Sequence, residues 1–266
     1  MTAPFRLPLE KTHQEFILTF LQNIEDQTAI SLVYNKLFIT TGRKKFTAVL
    51  PLAHEFSYSG KIPLYGSEDV LKFFQEHHLE TIAISMDERF LSFYTEGEAL
   101  RSERVQSFVP EKWLDPVLTM PAVLSFDLSR EQIDVIIQKF HNIYPPEELR
   151  HEHRKAQWIP TFLNKFFISF TRESIKINDD LFYYEIRDLN NHTHHVDIFH
   201  NKRMGIAFFF LLLFPGDYHV RVCLAGDHSQ SYLILQHKTQ PFCYIAFNDL
   251  IIDVGEEVRH MKLNQA

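Results

Sequence analysis

The sequence predicts an α+β protein of two tandem domains, each assembled from two βαββ units. Three observations predict it. A short strand, a capped amphipathic helix and two strands around a tight turn recur four times, beginning near Phe5, Lys61, Val123 and His195. Internal repetition of this kind implies an architecture built from like units. A proline-rich stretch, Pro110–Pro121, separates the second copy from the third. Finally, 45% hydrophobic content with 25 Phe in 266 residues supplies enough apolar surface for one large core or two ordinary ones.

The first copy predicts a helix from about Glu10 to Ile24, with Phe16, Ile17, Phe20, Leu21 and Ile24 turned inward. Strands Thr28–Val33 and Lys36–Thr41 follow around a turn at Asn35, and a further strand, Lys45–Leu50, precedes the next copy. In the second copy Lys61–Tyr65 leads to Ser67, whose hydroxyl suits a helix N-cap. Val70, Leu71, Phe73 and Phe74 then form an apolar helical face, and Thr81–Ser85 and Phe90–Tyr94 flank a turn at Asp87-Glu88.

The third copy runs Val123–Phe126, then Ser129 with Gln132 three residues on, the spacing of a capping box. Ile133, Ile136, Ile137 and Phe140 continue at i, i+3, i+4 and i+7 before the strand pair Phe166–Phe170 and Ser174–Ile177, and an extra strand, Leu181–Arg187, precedes the fourth copy. The fourth has a lead strand His195–Phe199, a helix from about Asn201, and strands Tyr218–Leu224 and Gln230–Gln236 around Gly226–Ser229. An extra strand, Phe242–Phe247, follows it. The domains predicted are residues 1–109 and 122–252, joined by a connector at 110–121 and followed by a polar tail at 253–266.

Three prolines in the connector remove backbone donors and favour extended chain. Trp113, Val117, Leu118 and Met120 make it apolar, so it is expected to lie along the protein body. Cys223 and Cys243 sit in strand-like apolar runs without CxxC spacing and read as small buried hydrophobes, a usage suited to a reducing cytoplasm. No signal peptide is visible, and the longest apolar run, Met204–Phe214, has 11 residues, too few to span a bilayer. The formal charge of −7 argues against a broad phosphate-gripping face, although it leaves room for basic residues gathered on one surface. In the segment between the third helix and its strands, Arg150-His-Glu-His-Arg-Lys155 concentrates three fixed cations.

Three stretches carry a resemblance. They are Lys61–Phe74 with its following strand pair, Leu124-Ser-Phe-Asp-Leu-Ser-Arg-Glu-Gln-Ile-Asp-Val-Ile-Ile137, and Phe214-Pro-Gly-Asp-Tyr-His-Val-Arg-Val222. With the two βαββ units per domain and the extended connector, the chain resembles the DNA sliding clamps, of proliferating-cell-nuclear-antigen-like fold. Among them it is most similar to the T-even-type bacteriophage processivity clamp. The resemblance implies a homotrimeric ring with helices lining the concave face and antiparallel sheets outside. It implies a non-enzymatic role: encircling duplex DNA without reading sequence, tethering a DNA polymerase, and being loaded by an ATP-driven clamp loader. Such a protein would work in the cytoplasm, that of the host if it is viral, with no membrane partner and no cofactor. Weak phosphate contacts permit sliding, and closure prevents escape.

Helix positions opposite the apolar stripes should then face the hole: Lys11, Glu15 and Gln22; Glu68, Lys72, Gln75 and Glu76; Glu131, Gln138 and Asn142. The candidate DNA-facing cations are Lys11, Lys72, Arg130, Lys139, Lys202 and Arg203, supplemented by Arg150, Arg154 and Lys155. The family's lumen is basic, whereas these faces are mixed in charge. Val117 and Leu118 in the connector with Leu250 and Ile251 after the last strand are the candidates for a partner-peptide pocket. Ring closure would pair an edge strand near Arg104–Val109 with Leu181–Arg187 of a neighbour.

His192, His194, His195 and His200 with Asp197 form the densest metal-like cluster. Alternate strand residues face opposite ways, and neither HExxH, a Walker loop, GxGxxG nor GxSxG occurs. The reading therefore predicts no metal site and no catalysis. Two other classes compete with a ring clamp: a clamp-shaped adaptor in viral transcription or assembly that does not encircle DNA, and, remotely, a metal-dependent hydrolase.

Overall fold

The computed structural model describes residues 5–22, 28–41, 46–62, 67–103, 118–143, 167–171, 174–178, 183–187, 198–201, 212–224 and 231–248. The chain divides into two compact units. The first holds Met1–Pro116, Leu212–Phe214 and Pro241–Ile245, and the second holds Val117–Leu211, Pro215–Gln240 and Ala246–Ala266.

In the first unit, β1 (Leu7–Pro8) and α1 (Lys11–Gln22) precede β2 (Thr28–Val33), β3 (Lys36–Thr41) and β4 (Phe46–Pro51). The same order then recurs as β5 (Gly60–Ile62), α2 (Ser67–Glu76), β6 (Ala83–Met86), β7 (Phe90–Tyr94) and β8 (Ala99–Glu103). Of the inward set that the periodicity of α1 requires, Phe16, Ile17, Phe20 and Leu21 are buried, while Ile24 lies outside the described residues. Phe16 meets Phe242 with ring centroids 4.2 Å apart and Tyr244 at 5.4 Å. On α2, Phe74 meets Phe93 of β7 edge-on at 5.2 Å, and α1 and α2 pack against each other.

The two hairpins are closed by different chemistry. Between β2 and β3 the turn residue Tyr34 takes a left-handed backbone (φ 50°), which suits a two-residue turn but strains a bulky side chain. Neighbouring chain holds it there, because Phe56 N–H donates to the Tyr34 carbonyl and Leu52 N–H to that of Asn35. Between β6 and β7 the Asp87 carboxylate accepts from the N–H groups of Arg89 and Phe90, each at 2.7 Å.

The second unit contains β9 (Ala122–Leu128), α3 (Arg130–Ile143), β10 (Phe167–Thr171), β11 (Ser174–Asn178), β12 (Tyr183–Arg187), β13 (Ile198–Asn201), β14 (Tyr218–Leu224) and β15 (Ser231–His237). The division between the units falls within β16 (Cys243–Asn248). The expected capping box is present: Gln132 N–H donates to Ser129 Oγ at 3.2 Å, and Ser129 N–H donates back to Gln132 Oε1 at 2.9 Å. Replacing Ser129 by Ala should lower the unfolding free energy by about 1 kcal/mol. Urea denaturation checks this, and a Gln132→Ala variant should show part of the same loss.

Pairing is antiparallel throughout the described registers and follows one rule. The lead strand of each repeat pairs with the first of the three later strands of its companion repeat. Leu7 of β1 lies opposite Ile84 of β6, while Ile62 of β5 lies opposite Ile30 of β2. Likewise Phe126 of β9 faces Val220 of β14, while Phe199 of β13 faces Phe170 of β10. Four strand runs of identical logic result: β1-β6-β7-β8, β5-β2-β3-β4, β13-β10-β11-β12 and β9-β14-β15-β16. Each repeat thus carries three strands after its lead strand, and strands that read as additions between copies belong to the repeat itself; the helix expected after the fourth lead strand lies outside the described residues. The expected edge strand at residues 104–109 lies outside the described residues. The strand ending the β1-β6-β7-β8 run is β8, and β12 ends its own run.

Cys223 and Cys243 are buried, as their apolar flanks predict, and neither forms a disulfide. Among the described residues no helix is long and apolar enough to cross a membrane.

Candidate functional site

The polar faces of the helices follow directly from their apolar ones. With Phe16, Ile17, Phe20 and Leu21 buried, α1 exposes Lys11, Glu15 and Gln22. With Val70, Phe73 and Phe74 buried, α2 exposes Glu68, Asp69, Lys72, Gln75 and Glu76. On α3 the exposed set is Glu131, Asp134 and Gln138, with Arg130 half-buried. Each described side chain expected on a solvent-facing stripe is thus exposed. Lys139 and Asn142 fall on α3 with side chains outside the described set. Arg150, Arg154, Lys155, Lys202 and Arg203 lie outside the described residues altogether.

Charge on these faces is not what a phosphate-binding surface requires. Six carboxylates (Glu15, Glu68, Asp69, Glu76, Glu131 and Asp134) stand against four fixed cations on the three described helices: Lys11, Lys72, Arg130 and Lys139, the last with its side chain outside the described set. Three of the six have a structural reason, because Glu68, Asp69 and Glu131 occupy first turns, where carboxylates complement the helix dipole. The cations with described side chains are also engaged. Lys72 Nζ lies 3.8 Å from Glu76, Arg130 Nε donates to Asp134 at 2.8 Å, and Lys11 Nζ donates to the His78 carbonyl. The first two pairs are exposed i,i+4 contacts worth roughly 0.3–0.5 kcal/mol each. Such a pair gives way readily when a polyanion approaches.

At the far end of α2 a histidine ties two segments together. His77 Nδ1 lies 2.8 Å from Glu80, and Nε2 lies 3.2 Å from Glu98 in the turn between β7 and β8. The Glu80 hydrogen bond leads in raising the His77 pKa above its ordinary value, with Glu98 adding to it. A histidine raised on folding stabilises the fold fully below its unfolded pKa, near 6.5, and loses that contribution as pH climbs through the folded value. Glu98→Gln should therefore shift the His77 titration downward, as followed by its imidazole NMR resonances. The stability difference between the two proteins should vanish at alkaline pH.

In the second unit, sequence reasoning missed the attachment of the connector's end. Along β14, Tyr218, Val220 and Val222 are buried with Leu124, Phe126 and Leu128 of β9. The alternate residues His219, Arg221 and Cys223 belong to the other face. There Arg221 Nη2 donates to the Leu118 carbonyl at 2.8 Å, and the Cys223 thiol lies 3.5 Å from the Met120 carbonyl. Beside them Asp127 accepts from His219 Nδ1 at 3.0 Å and from Lys238 Nζ at 2.7 Å. The available signal was a lone arginine between two valines on a strand. Of the pocket candidates, Leu118 is half-buried here, while Val117, Leu250 and Ile251 lie outside the described residues.

The histidine cluster at 192–195 with Asp197 also lies outside the described residues. Among the described residues no group of three or more His, Cys, Asp or Glu side chains could hold a metal ion.

No protein-family model matches the chain, and no curated protein matches it in sequence. Solved structures do match. A putative DNA polymerase III β subunit from Eubacterium rectale is similar over 93% of this chain at 9% identity, with a TM-score of 0.62. The β subunit from Thermotoga maritima is similar over 93% at 11% identity, with a TM-score of 0.60. A Helicobacter pylori β clamp bound to a DNA ligase peptide is similar over 94% at 12% identity, with a TM-score of 0.55. The chain spans 66%, 67% and 66% of those chains respectively. The fold is that of the sliding clamps.

Proposed function

We propose that this α+β chain is a ring-forming DNA sliding clamp that encircles duplex DNA without reading its sequence and tethers a replicative polymerase. The observation that carries the reading is the fourfold repeat. Its lead strands are exchanged reciprocally in both units, and each described helix turns one continuous polar stripe to solvent. Similarity to bacterial β clamps over 93–94% of the chain supports it. The proposed domains are residues 1–109 and 122–252, joined by the connector at 110–121 and trailed by 253–266. Three copies would close the ring, with the edges of β8 and β12 as the described strands nearest the proposed closure. A clamp loader would open it, and the resemblance to the T-even-type phage clamp would have the protein work in the cytoplasm, that of the host if it is viral.

In this reading the protein has no catalytic step of its own. Lys11, Lys72, Arg130 and Lys139 meet phosphates, with Arg150, Arg154, Lys155, Lys202 and Arg203 beside them. Val117, Leu118, Leu250 and Ile251 form the apolar pocket for a partner peptide, and the ligase peptide bound to the Helicobacter pylori clamp supports that mode of docking.

One observation favours a second reading. The excess of carboxylates on α1, α2 and α3 suits a clamp-shaped adaptor, acting in viral transcription or assembly, that does not encircle DNA. Two measurements separate the readings. A ring requires a stable assembly near three times 31.5 kDa by light scattering. Encirclement requires retention on nicked circular duplex and loss from linear ends. Equal retention on both forms by a trimer supports the adaptor and overturns the clamp.

A further inference from the structure

The second face of the β9–β14–β15 sheet is not an ordinary solvated face. Ser125, Cys223 and Ile234 belong to it by alternation, and all three are buried. The segment Leu118–Met120 comes to this face, held by the two contacts from β14 to the Leu118 and Met120 carbonyls. Both contacts run from strand side chain to segment backbone, so they fix the path of the chain whatever its side chains are.

They differ in strength. A guanidinium donating to a carbonyl is a charge-assisted bond in a partly desolvated place, worth more than a neutral one. The thiol is a weak donor. Burial pushes the Cys223 thiol up, against a smaller opposing pull from Arg221, so the sulfur keeps its proton and stays a donor to Met120. Arg221 is therefore the stronger of the two grips, and the backbone it grips belongs to Leu118.

We infer that Arg221 is the positioning residue of the connector, pinning the Leu118 carbonyl to β14 and so fixing the wall that Leu118 contributes to the proposed partner pocket. The partner-binding part of this inference rests on the proposed function; the pinning does not. An anchored wall presents Leu118 already ordered, and an ordered apolar anchor lowers the entropy lost on binding. The gain appears chiefly as slower dissociation of the partner.

The test compares the full-length protein with Arg221→Met, which keeps length and apolar stem but removes the donors, and Arg221→Lys, which returns a single donor. Amide hydrogen exchange across residues 118–120 is read beside the thermal midpoint. In Arg221→Met, exchange in this segment should quicken on the order of tenfold, the loss expected for a hydrogen bond to a charged group. Exchange across β15 should hold, and Arg221→Lys should recover part of the protection. A fluorescein-labelled decapeptide ending in Leu-Phe serves as the partner probe, and its dissociation should quicken severalfold in Arg221→Met. Unchanged exchange at residues 118–120 overturns the positioning role whatever the peptide does. Loss of protection throughout the second unit also overturns it, since Arg221 would then be a general structural residue. Local loss of protection with a peptide that binds none of the three proteins upholds the pinning and strikes only the pocket.

Discussion

Replacing Gly216 by Ala should be among the most damaging single changes in the second unit, lowering its stability by about 3 kcal/mol or more. Gly216 has φ 154°, a conformation that side chains rarely adopt. A Cβ there would fall onto the His237 imidazole, 2.6 Å from Cε1 and closer still to Nε2. An exposed ring would swing aside, but this one has nowhere to go. His237 is 5% exposed, its Nε2–H donates to the Pro215 carbonyl at 3.1 Å, and its Nδ1 accepts from Thr239 N–H at 3.2 Å and Gln240 N–H at 3.1 Å. These bonds set the tautomer and hold both turns.

Damage would spread, because the same turn caps a helix. Asp217 accepts Arg130 N–H at 2.7 Å from 87 residues away, and its carbonyl accepts Lys238 N–H at 2.9 Å. Moving residue 216 therefore disturbs the start of α3 as well. Chemical denaturation of Gly216→Ala should show a large fall in midpoint, with faster amide exchange in the first turn of α3. An unfolding free energy within about 0.5 kcal/mol of the parent's, the range of an ordinary surface substitution, would show that the ring yields.

The second large effect concerns charge on the helix faces. Changing Glu15, Glu68 and Glu76 together to Lys should turn a mixed surface into a basic one without touching a buried side chain, since all three are exposed. Three added phosphate contacts should steepen the salt dependence of duplex binding by about 2.7 in log–log slope. At low salt the affinity should rise on the order of a hundredfold. A cost to α2 is expected from losing the Lys72–Glu76 pair and one first-turn carboxylate, together about 1 kcal/mol.

Added lysines attract DNA wherever they sit, so a control carries the argument. Glu88, Glu96 and Glu103, exposed in or beside the β6–β7 and β7–β8 turns, are changed to Lys in a matched protein. If the helices face the duplex, the helix variant should lengthen retention on nicked circles well beyond the control. Equal gains from both triples would mean that the helix faces hold no special relation to DNA, and the adaptor reading would take precedence.

Much of the local structure was legible in the residue order. The bounds of β2, β3, β7 and β14 follow from apolar runs bracketed by turn chemistry, and the inward residues of α1 follow from their spacing. The Ser129–Gln132 box was readable because its two partners lie three residues apart. The exposed stripes that make up the candidate DNA face are simply the complement of those patterns. What escaped was non-local. Asp217 capping α3 pairs residues 87 positions apart, and Arg221 gripping Leu118 pairs residues 103 apart. A charged residue on a strand looks the same in sequence whether it meets water or a backbone carbonyl.

Sequence alone determined the α+β class, the fourfold repeat and the polar stripe of each described helix, because periodicity and capping act over a few residues. Tertiary structure alone decided which strands pair. A two-residue turn dictates its own hairpin, but no local signal makes the lead strand of one repeat choose the first strand of its companion. That choice is made by burial. Lead strands β1, β5 and β13 are short, unlike β9, and each of the four gains a hydrogen-bonded neighbour by crossing to the other repeat. The same global packing decided that Arg221 meets the connector's backbone, a contact that exists only once the sheet and the segment beside it have come together.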